Sequence, residues 1–303
     1  DLENVLNEAA LLAARRNLTE IGMKEIEDAM VKVTMGPEKK TRVRSEKENR
    51  LVSYHEAGHA VLIRNLPNAD PVHQVTIIPR GMAGGMTMFL PQEDRSYESK
   101  NHMTDSLVHL LGGRAAEALV LDDISTGASN DIERATAIAR DMVTKYGMSS
   151  RIGTVNYSDS GEVFVGNDFT SKRAPYSEAT AMAIDEEVKK LLDDAYAKAV
   201  RLLEENLDKL TLVAETLLEI ETLDAEQFES LYTGAKTQEE IISTARSRAD
   251  EKAEKIARQK EEAAREYEAE KAKAEEKQEN TLHLRFENMK AENIVFENKK
   301  KHD

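Results

Sequence analysis

His55, Glu56 and His59 stand in a His-Glu-x-x-His spacing within the run Ser53-Tyr54-His55-Glu56-Ala57-Gly58-His59-Ala60. On a helix, residues four apart lie one turn from each other on one face, so both imidazoles can bind a single metal ion. Glu56 is turned about 100° from His55, which puts its carboxylate within reach of a water on that metal rather than of the metal itself. A bound zinc would lower the water's pKa from about 15.7 toward roughly 7. A neighbouring glutamate can then take the proton as the water attacks a carbonyl. The chemistry to which these residue types point is metal-assisted hydrolysis, with His55 and His59 as ligands and Glu56 as general base. The plain alternative is a helix whose two histidines are ordinary half-buried polar residues.

The surrounding pattern favours the metal reading. Leu51, Val52, His55, His59, Leu62 and Ile63 recur at helical spacing, so the histidines fall on an apolar, inward stripe. Ser45-Glu46-Lys47-Glu48 reads as a capping-box start, and Pro67 lies just past the expected end. Residues 72–79 are rich in β-branched side chains and read as a strand; after the glycine-containing turn at 80–85, Met86-Thr87-Met88-Phe89-Leu90 reads as a shorter strand stopped by Pro91. Such a pair is either a plain core hairpin or, beside a metal site, an edge whose backbone can pair with an extended peptide.

Residues 99–120 read as one helix that carries Gly112-Gly113 in its middle and Glu117 beyond; the glycines permit close packing or a kink. After a loop at 125–129, Asn130 reads as the N-cap of the next helix, with Glu133 at the capping-box position. Asp131 in that first turn has two readings. It is a partner of the helix dipole, or it is the third protein ligand that two histidines leave a catalytic zinc lacking.

The rest of the chain frames this part. Residues 1–36 read as a helix pair too short to be a domain, the end of something upstream, and a polar stretch follows Gly36-Pro37. Residues 37–235 read as the main domain, mostly helical, with an irregular segment at 151–175, a long amphipathic helix from 177 to 205 and a shorter one through Leu218. From 236 to 303 Glu, Lys, Arg and Ala dominate, which reads as a charged helical or disordered tail, and it ends in two short β-like runs at 282–286 and 294–296.

The absence of cysteine excludes disulfides, thiolate metal sites and thiol nucleophiles together. A net charge of −15 argues against nucleic acid as a partner. No apolar run approaches the roughly 18 residues of a membrane span. A start at Asp1 rather than Met leads us to expect a piece of a longer protein.

Several of these stretches, in this order, resemble the proteolytic part of the FtsH family, membrane-anchored AAA+ zinc metalloproteases, over about residues 1–232. They are the opening run to Leu11, the motif Tyr54-His55-Glu56-Ala57-Gly58-His59-Ala60, the strands near 71–81 and 87–91, Leu111-Gly112-Gly113-Arg114-Ala115-Ala116-Glu117, and Ser125-Thr126-Gly127-Ala128-Ser129-Asn130-Asp131. The resemblance implies a mainly α fold, a helical zinc-metallopeptidase domain with a small β-sheet beside the site. Residues 1–36 would be the end of the ATPase lid. It implies one Zn2+ per chain on His55, His59 and Asp131, with Glu56 catalytic and Glu117 an alternative ligand or a support to one. The strand Met86, Thr87, Met88, Phe89 and Leu90 would be the edge beside which substrate lies.

It further implies a homohexamer that hydrolyses peptide bonds of unfolded or motor-delivered polypeptides. ATP and Mg2+ would enter only through an ATPase domain outside these residues, since no G-x-x-x-x-G-K-[ST] loop occurs here. Membrane association would come only through N-terminal segments not in this sequence: the cytoplasmic face of the cell membrane for a full-length protein, soluble as given. Two alternatives stand beside this reading, a freestanding peptidase without a motor and a catalytically inert hexameric assembly module. The intact set His55, Glu56, His59 and Asp131 speaks against the inert module.

Overall fold

The computed structural model describes residues 2–39, 44–81, 83–91, 93–121, 123–158 and 176–251, with three single positions beyond. Two helices, α1 (Leu2–Arg15) and α2 (Met23–Met35), pack on each other, and Ala9 and Ala29 are buried. Arg16 ties them by pairing with Glu25 and Asp28. The helix pair expected at the start of the chain is therefore present.

The motif lies on α3 (Glu46–Asn65), which Ser45 caps by accepting from the Glu48 amide at 3.2 Å. Every residue of α3 from Ser53 to Ile63 is buried. The apolar stripe of the sequence predicts one buried face, but this part of α3 is covered on all sides. Its neighbours are α5 (Gly112–Val120), α8 (Leu207–Ile220), α4 (Lys100–Leu110), α7 (Glu178–Glu205) and the sheet. Those partners are distant in sequence, so periodicity within α3 does not reveal them.

The sheet has three antiparallel strands in the order β2 (Met86–Phe89), β1 (Val72–Thr76), β3 (Thr222–Asp224). Thr76 sits opposite Met86 and Val75 opposite Thr87, which leaves β2 at one edge. Both expected strands form, each shorter than its apolar run. The third strand leaves no signal in the sequence, because three residues are too few to show an alternating pattern.

The single helix expected over 99–120 is two helices. Leu111, at φ −82° and ψ 0°, separates α4 from α5. The break lets α5 press its backbone onto α3: a Cβ on Gly58 would lie 2.6 Å from the Gly112 carbonyl oxygen, and one on Gly112 would lie 2.7 Å from a Leu62 methyl. A second correction concerns α6 (Ser129–Thr144). It follows directly from a 3₁₀ turn at Thr126–Ala128, so Asn130 is already inside the helix and is not its cap. Asp131 remains in the first turn.

Helices α7 and α8 complete the scaffold with α9 (Ala225–Thr233), which starts at a full capping box between Asp224 and Gln227. Helical backbone resumes at 238, where Ile241 is 1% exposed and belongs to the main core. Most of the irregular segment, residues 159–175, lies outside the described residues, as do the β-like runs at 282–286 and 294–296. Among the described residues no helix is long and apolar enough to cross a membrane.

Candidate metal centre

α3 and α6 bring His55, His59 and Asp131 together. The two Nε2 atoms are 3.1 Å apart, and Asp131 Oδ2 lies 3.3 Å from Nε2 of His55 and 3.5 Å from Nε2 of His59. A tetrahedral metal with bonds of about 2.0–2.1 Å sets its ligand atoms roughly 3.3 Å apart, the length of a tetrahedron's edge. The three donor atoms already stand at that spacing, and two imidazoles with one carboxylate suit zinc chemistry. Among the described residues no other cluster of this kind occurs.

The rings are oriented from behind. His55 Nδ1–H donates to Glu117 Oε1 at 2.7 Å, and His59 Nδ1–H donates to the His109 carbonyl oxygen at 2.7 Å. Both bonds direct Nε2 toward Asp131, the arrangement that ligating histidines require. Glu117 is fully buried and is itself held by Ser125, whose amide donates to Oε2 at 2.7 Å and whose hydroxyl donates to Oε1 at 3.1 Å. Glu117 thus faces the far side of His55 from Asp131. Gly113 leaves room for that ring, because a Cβ there would lie 2.3 Å from His55 Cε1.

The charges follow from these contacts. Burial pulls the His55 pKa down, but hydrogen bonds with Asp131 and Glu117 outweigh it and hold the imidazolium up to about 10. Burial pushes Asp131 up, and the bonds to both histidines overcome it, leaving a carboxylate well below the usual range. In the metal-free protein the His55 proton therefore supplies the positive charge that the carboxylates demand. Burial raises Glu56, against the pull of His55 and His59 and a hydrogen bond from Thr87. Burial lowers His109 to about 3, so that ring is neutral.

His55, Glu56, His59, His109 and Asp131 line a cleft of about 810 Å³. Met86, Thr87, Met88 and Phe89 of the expected substrate strand form one wall. Leu90 lies past the strand end with its amide bonded to the Pro71 carbonyl at 3.2 Å. Glu56 sits between the histidines and β2, and Thr87 Oγ1 is 2.8 Å from its Oε2. Sequence reasoning had no account of Thr87 as a partner of Glu56, of the His109 carbonyl, or of Ser125 behind Glu117. The Gly112-Gly113 pair was the one visible signal of how closely α5 approaches the motif.

A family model described as Peptidase family M41 matches residues 42–231. The chain is 59% identical over 235 residues to "ATP-dependent zinc metalloprotease FtsH 1" of Thermoanaerobacter sp. (strain X514), a match covering 77% of this chain and 38% of that relative. It is 57% identical over 235 residues to "ATP-dependent zinc metalloprotease FtsH 2" of Alkaliphilus metalliredigens (strain QYMF), covering 77% and 34%. It is 50% identical over 233 residues to "ATP-dependent zinc metalloprotease FtsH" of Bacillus subtilis (strain 168), covering 76% and 36%. The chain spans little more than a third of the length of these relatives. With a family model over most of its length and the motif residues gathered at one centre, the chain belongs to peptidase family M41.

Proposed function

We propose that this chain is a zinc-dependent endopeptidase acting on unfolded or extended polypeptide. One observation carries the reading: the donor atoms of His55, His59 and Asp131 stand at tetrahedral spacing in a cleft that also holds Glu56. These three residues would hold one zinc, and Glu117 would orient His55 from behind rather than ligate. When bound, zinc supplies a Lewis acid that acidifies water and polarises a carbonyl.

The chain's own groups then do the following. Glu56 takes a proton from the water that adds to the peptide carbonyl carbon, and it returns that proton to the amide nitrogen as the C–N bond breaks. Its buried setting moves its pKa toward the working range of a general base. The open edge of β2 supports binding of substrate as an added strand, with main-chain bonds giving affinity and the cleft walls giving selection. The relatives are named ATP-dependent; in this reading the 303 residues carry the hydrolytic step, and nucleotide work, hexameric assembly and a membrane location belong to the whole protein.

The test replaces Glu56 with Gln, which keeps the shape but cannot accept the proton. Cleavage of an unstructured chain such as casein should fall by at least roughly 10²–10⁴ while bound zinc stays near one per chain. Substantial cleavage by zinc-loaded Glu56→Gln would remove Glu56 from the role of base.

A further inference from the structure

We propose that Gly85 and Thr87, at the start of the edge strand, form a cradle that positions the Glu56 carboxylate for proton transfer. This rests on the reading of Glu56 as general base, and Gly85 and Thr87 act through it as positioning residues.

Glu56 leaves α3 on the side facing β2 and is 6% exposed. Among the described residues, the Thr87 hydroxyl is the side-chain donor that its carboxylate meets: Thr87 Oγ1 lies 2.8 Å from Oε2 and 3.0 Å from the Glu56 carbonyl oxygen. The hydroxyl has one proton, so it serves these two acceptors in turn. On the other side, Gly85 supplies space. A Cβ on Gly85 would lie 2.7 Å from Glu56 Oε1, 2.8 Å from its Cγ and 2.8 Å from the Thr76 carbonyl oxygen. One oxygen of the carboxylate is thus held by a hydroxyl, and the other occupies a hollow that only glycine leaves open.

A glutamate side chain otherwise loses up to about 2 kcal/mol of rotamer freedom when it is fixed. A proton acceptor must be held to within about 0.5 Å of its productive place. Here Thr87 belongs to β2 and Gly85 immediately precedes that strand; β2 is the strand whose open edge is proposed to take the substrate. Thr87 is opposite Val75 in the β1–β2 ladder, so its place is set by sheet register. A polypeptide pairing along β2 would meet a base that the same strand holds in position.

The experiment uses the full 303-residue chain loaded with zinc and a short unstructured fluorogenic peptide. Thr87→Val should lower kcat about 10- to 100-fold, the loss of one hydrogen bond to a charged group. Its KM should stay within about threefold, and Thr87→Ser should restore kcat to within about threefold. Gly85→Ala should lower kcat in the same way. A second readout needs no activity: crystal structures of the metal-free chain should show one Glu56 conformer in the wild type and several in Thr87→Val. If Thr87→Val fails to fold, Thr87→Ala carries the same comparisons. A wild-type kcat in Thr87→Val, a Thr87→Ser as slow as Thr87→Val, or a single Glu56 conformer in Thr87→Val would each overturn the cradle. An active Glu56→Gln would instead overturn the underlying role of Glu56, so the two failures are distinct.

Discussion

Glu117 and Asp131 approach His55 from opposite edges of its ring, Glu117 Oε1 at 2.7 Å from Nδ1 and Asp131 Oδ2 at 3.3 Å from Nε2. The two carboxylates therefore have different duties toward one imidazole. Asp131 faces the point where both Nε2 atoms converge, and Glu117 fixes the ring behind it. Asp131→Ala should take zinc content from near one per chain to a small fraction of that. Glu117→Gln should weaken zinc binding about 10- to 100-fold, yet leave the site fillable at saturating metal. Elemental analysis and competition with a chelator measure both. The reverse order, with zinc retained in Asp131→Ala and lost in Glu117→Gln, would exchange the two assignments.

Zinc uptake should release one proton from His55 at neutral pH, besides any that the metal-bound water gives up. Burial opposes the charged form of His55, but Asp131 and Glu117 hold its pKa up to about 10 in the metal-free protein. Metal binding requires the neutral imidazole. Below about pH 10 the proton must leave as the metal enters; above it there is none to lose. Apparent zinc affinity should therefore rise at least roughly tenfold per pH unit between about 7 and 9. Asp131, held low, is already ionised throughout and adds no proton. Calorimetry in two buffers of different ionisation heat counts the protons, and a count near zero at pH 7 would contradict the charge assigned to His55.

The legible part of this site is the part that lies on one helix. His55, Glu56 and His59 fall within one turn and a half, where a period of 3.6 residues fixes their relative directions. Asp131 was readable only as an option, because counting ligands shows that one is missing without saying which acid supplies it. Glu117 entered only through likeness to a family, since nothing about a glutamate on a helix tells that it is fully buried against a histidine. The role of Thr87 depends on which face of β2 packs on α3, a long-range fact that alternation cannot supply. The His109 carbonyl is a main-chain atom and leaves no trace in residue types. The split at Leu111 lets Gly58 meet Gly112, a contact that exists only once α5 has docked on α3. Local patterns named the chemistry; tertiary contacts decided the partners.

A second polar cluster anchors the other end of α3. Asp105 is 3% exposed, accepts from Asn68 Nδ2 at 2.8 Å and pairs with Lys198 Nζ at 2.8 Å. It thereby joins the segment after α3 to α4 and α7. Burial pushes its pKa up, but Lys198 and Asn68 outweigh this and hold it below the usual carboxylate range. A lowered folded pKa gives stability that is present in full above the unfolded value of about 3.9 and is lost as pH falls through the folded value. Asp105→Asn should cost about 1–3 kcal/mol at pH 7. The gap from wild type should hold down to about pH 5 and narrow below about pH 4. Urea unfolding at three pH values measures it, and a gap that widens on acidification would reject the ionised pair.

The last prediction concerns where the folded body ends. The composition turns charged from 236, yet burial continues past that point. Thr237 and Glu240 close a cap, the Glu240 amide donating to Thr237 Oγ1 at 3.2 Å and the Thr237 amide to Glu240 Oε2 at 2.8 Å. The helical turn that follows places Ile241 in the core, 1% exposed. One turn further, Arg246 pairs with Glu219 of α8 at 2.7 Å, with both side chains more than half exposed. These contacts are unequal in weight. Ile241→Ala should cost about 2–4 kcal/mol, the transfer term for a buried aliphatic side chain plus its cavity. Arg246→Ala should cost less than about 1 kcal/mol, the usual yield of an exposed ion pair. A chain ending at residue 236 loses both and should unfold at lower denaturant by at least the Ile241 amount. Its zinc stoichiometry should be unchanged while it is folded, because Ile241 belongs to the core and is not part of the lining of the cleft that holds the metal-site residues. Equal stability for the full chain and the chain ending at 236 would show that the charged segment contributes nothing to the core.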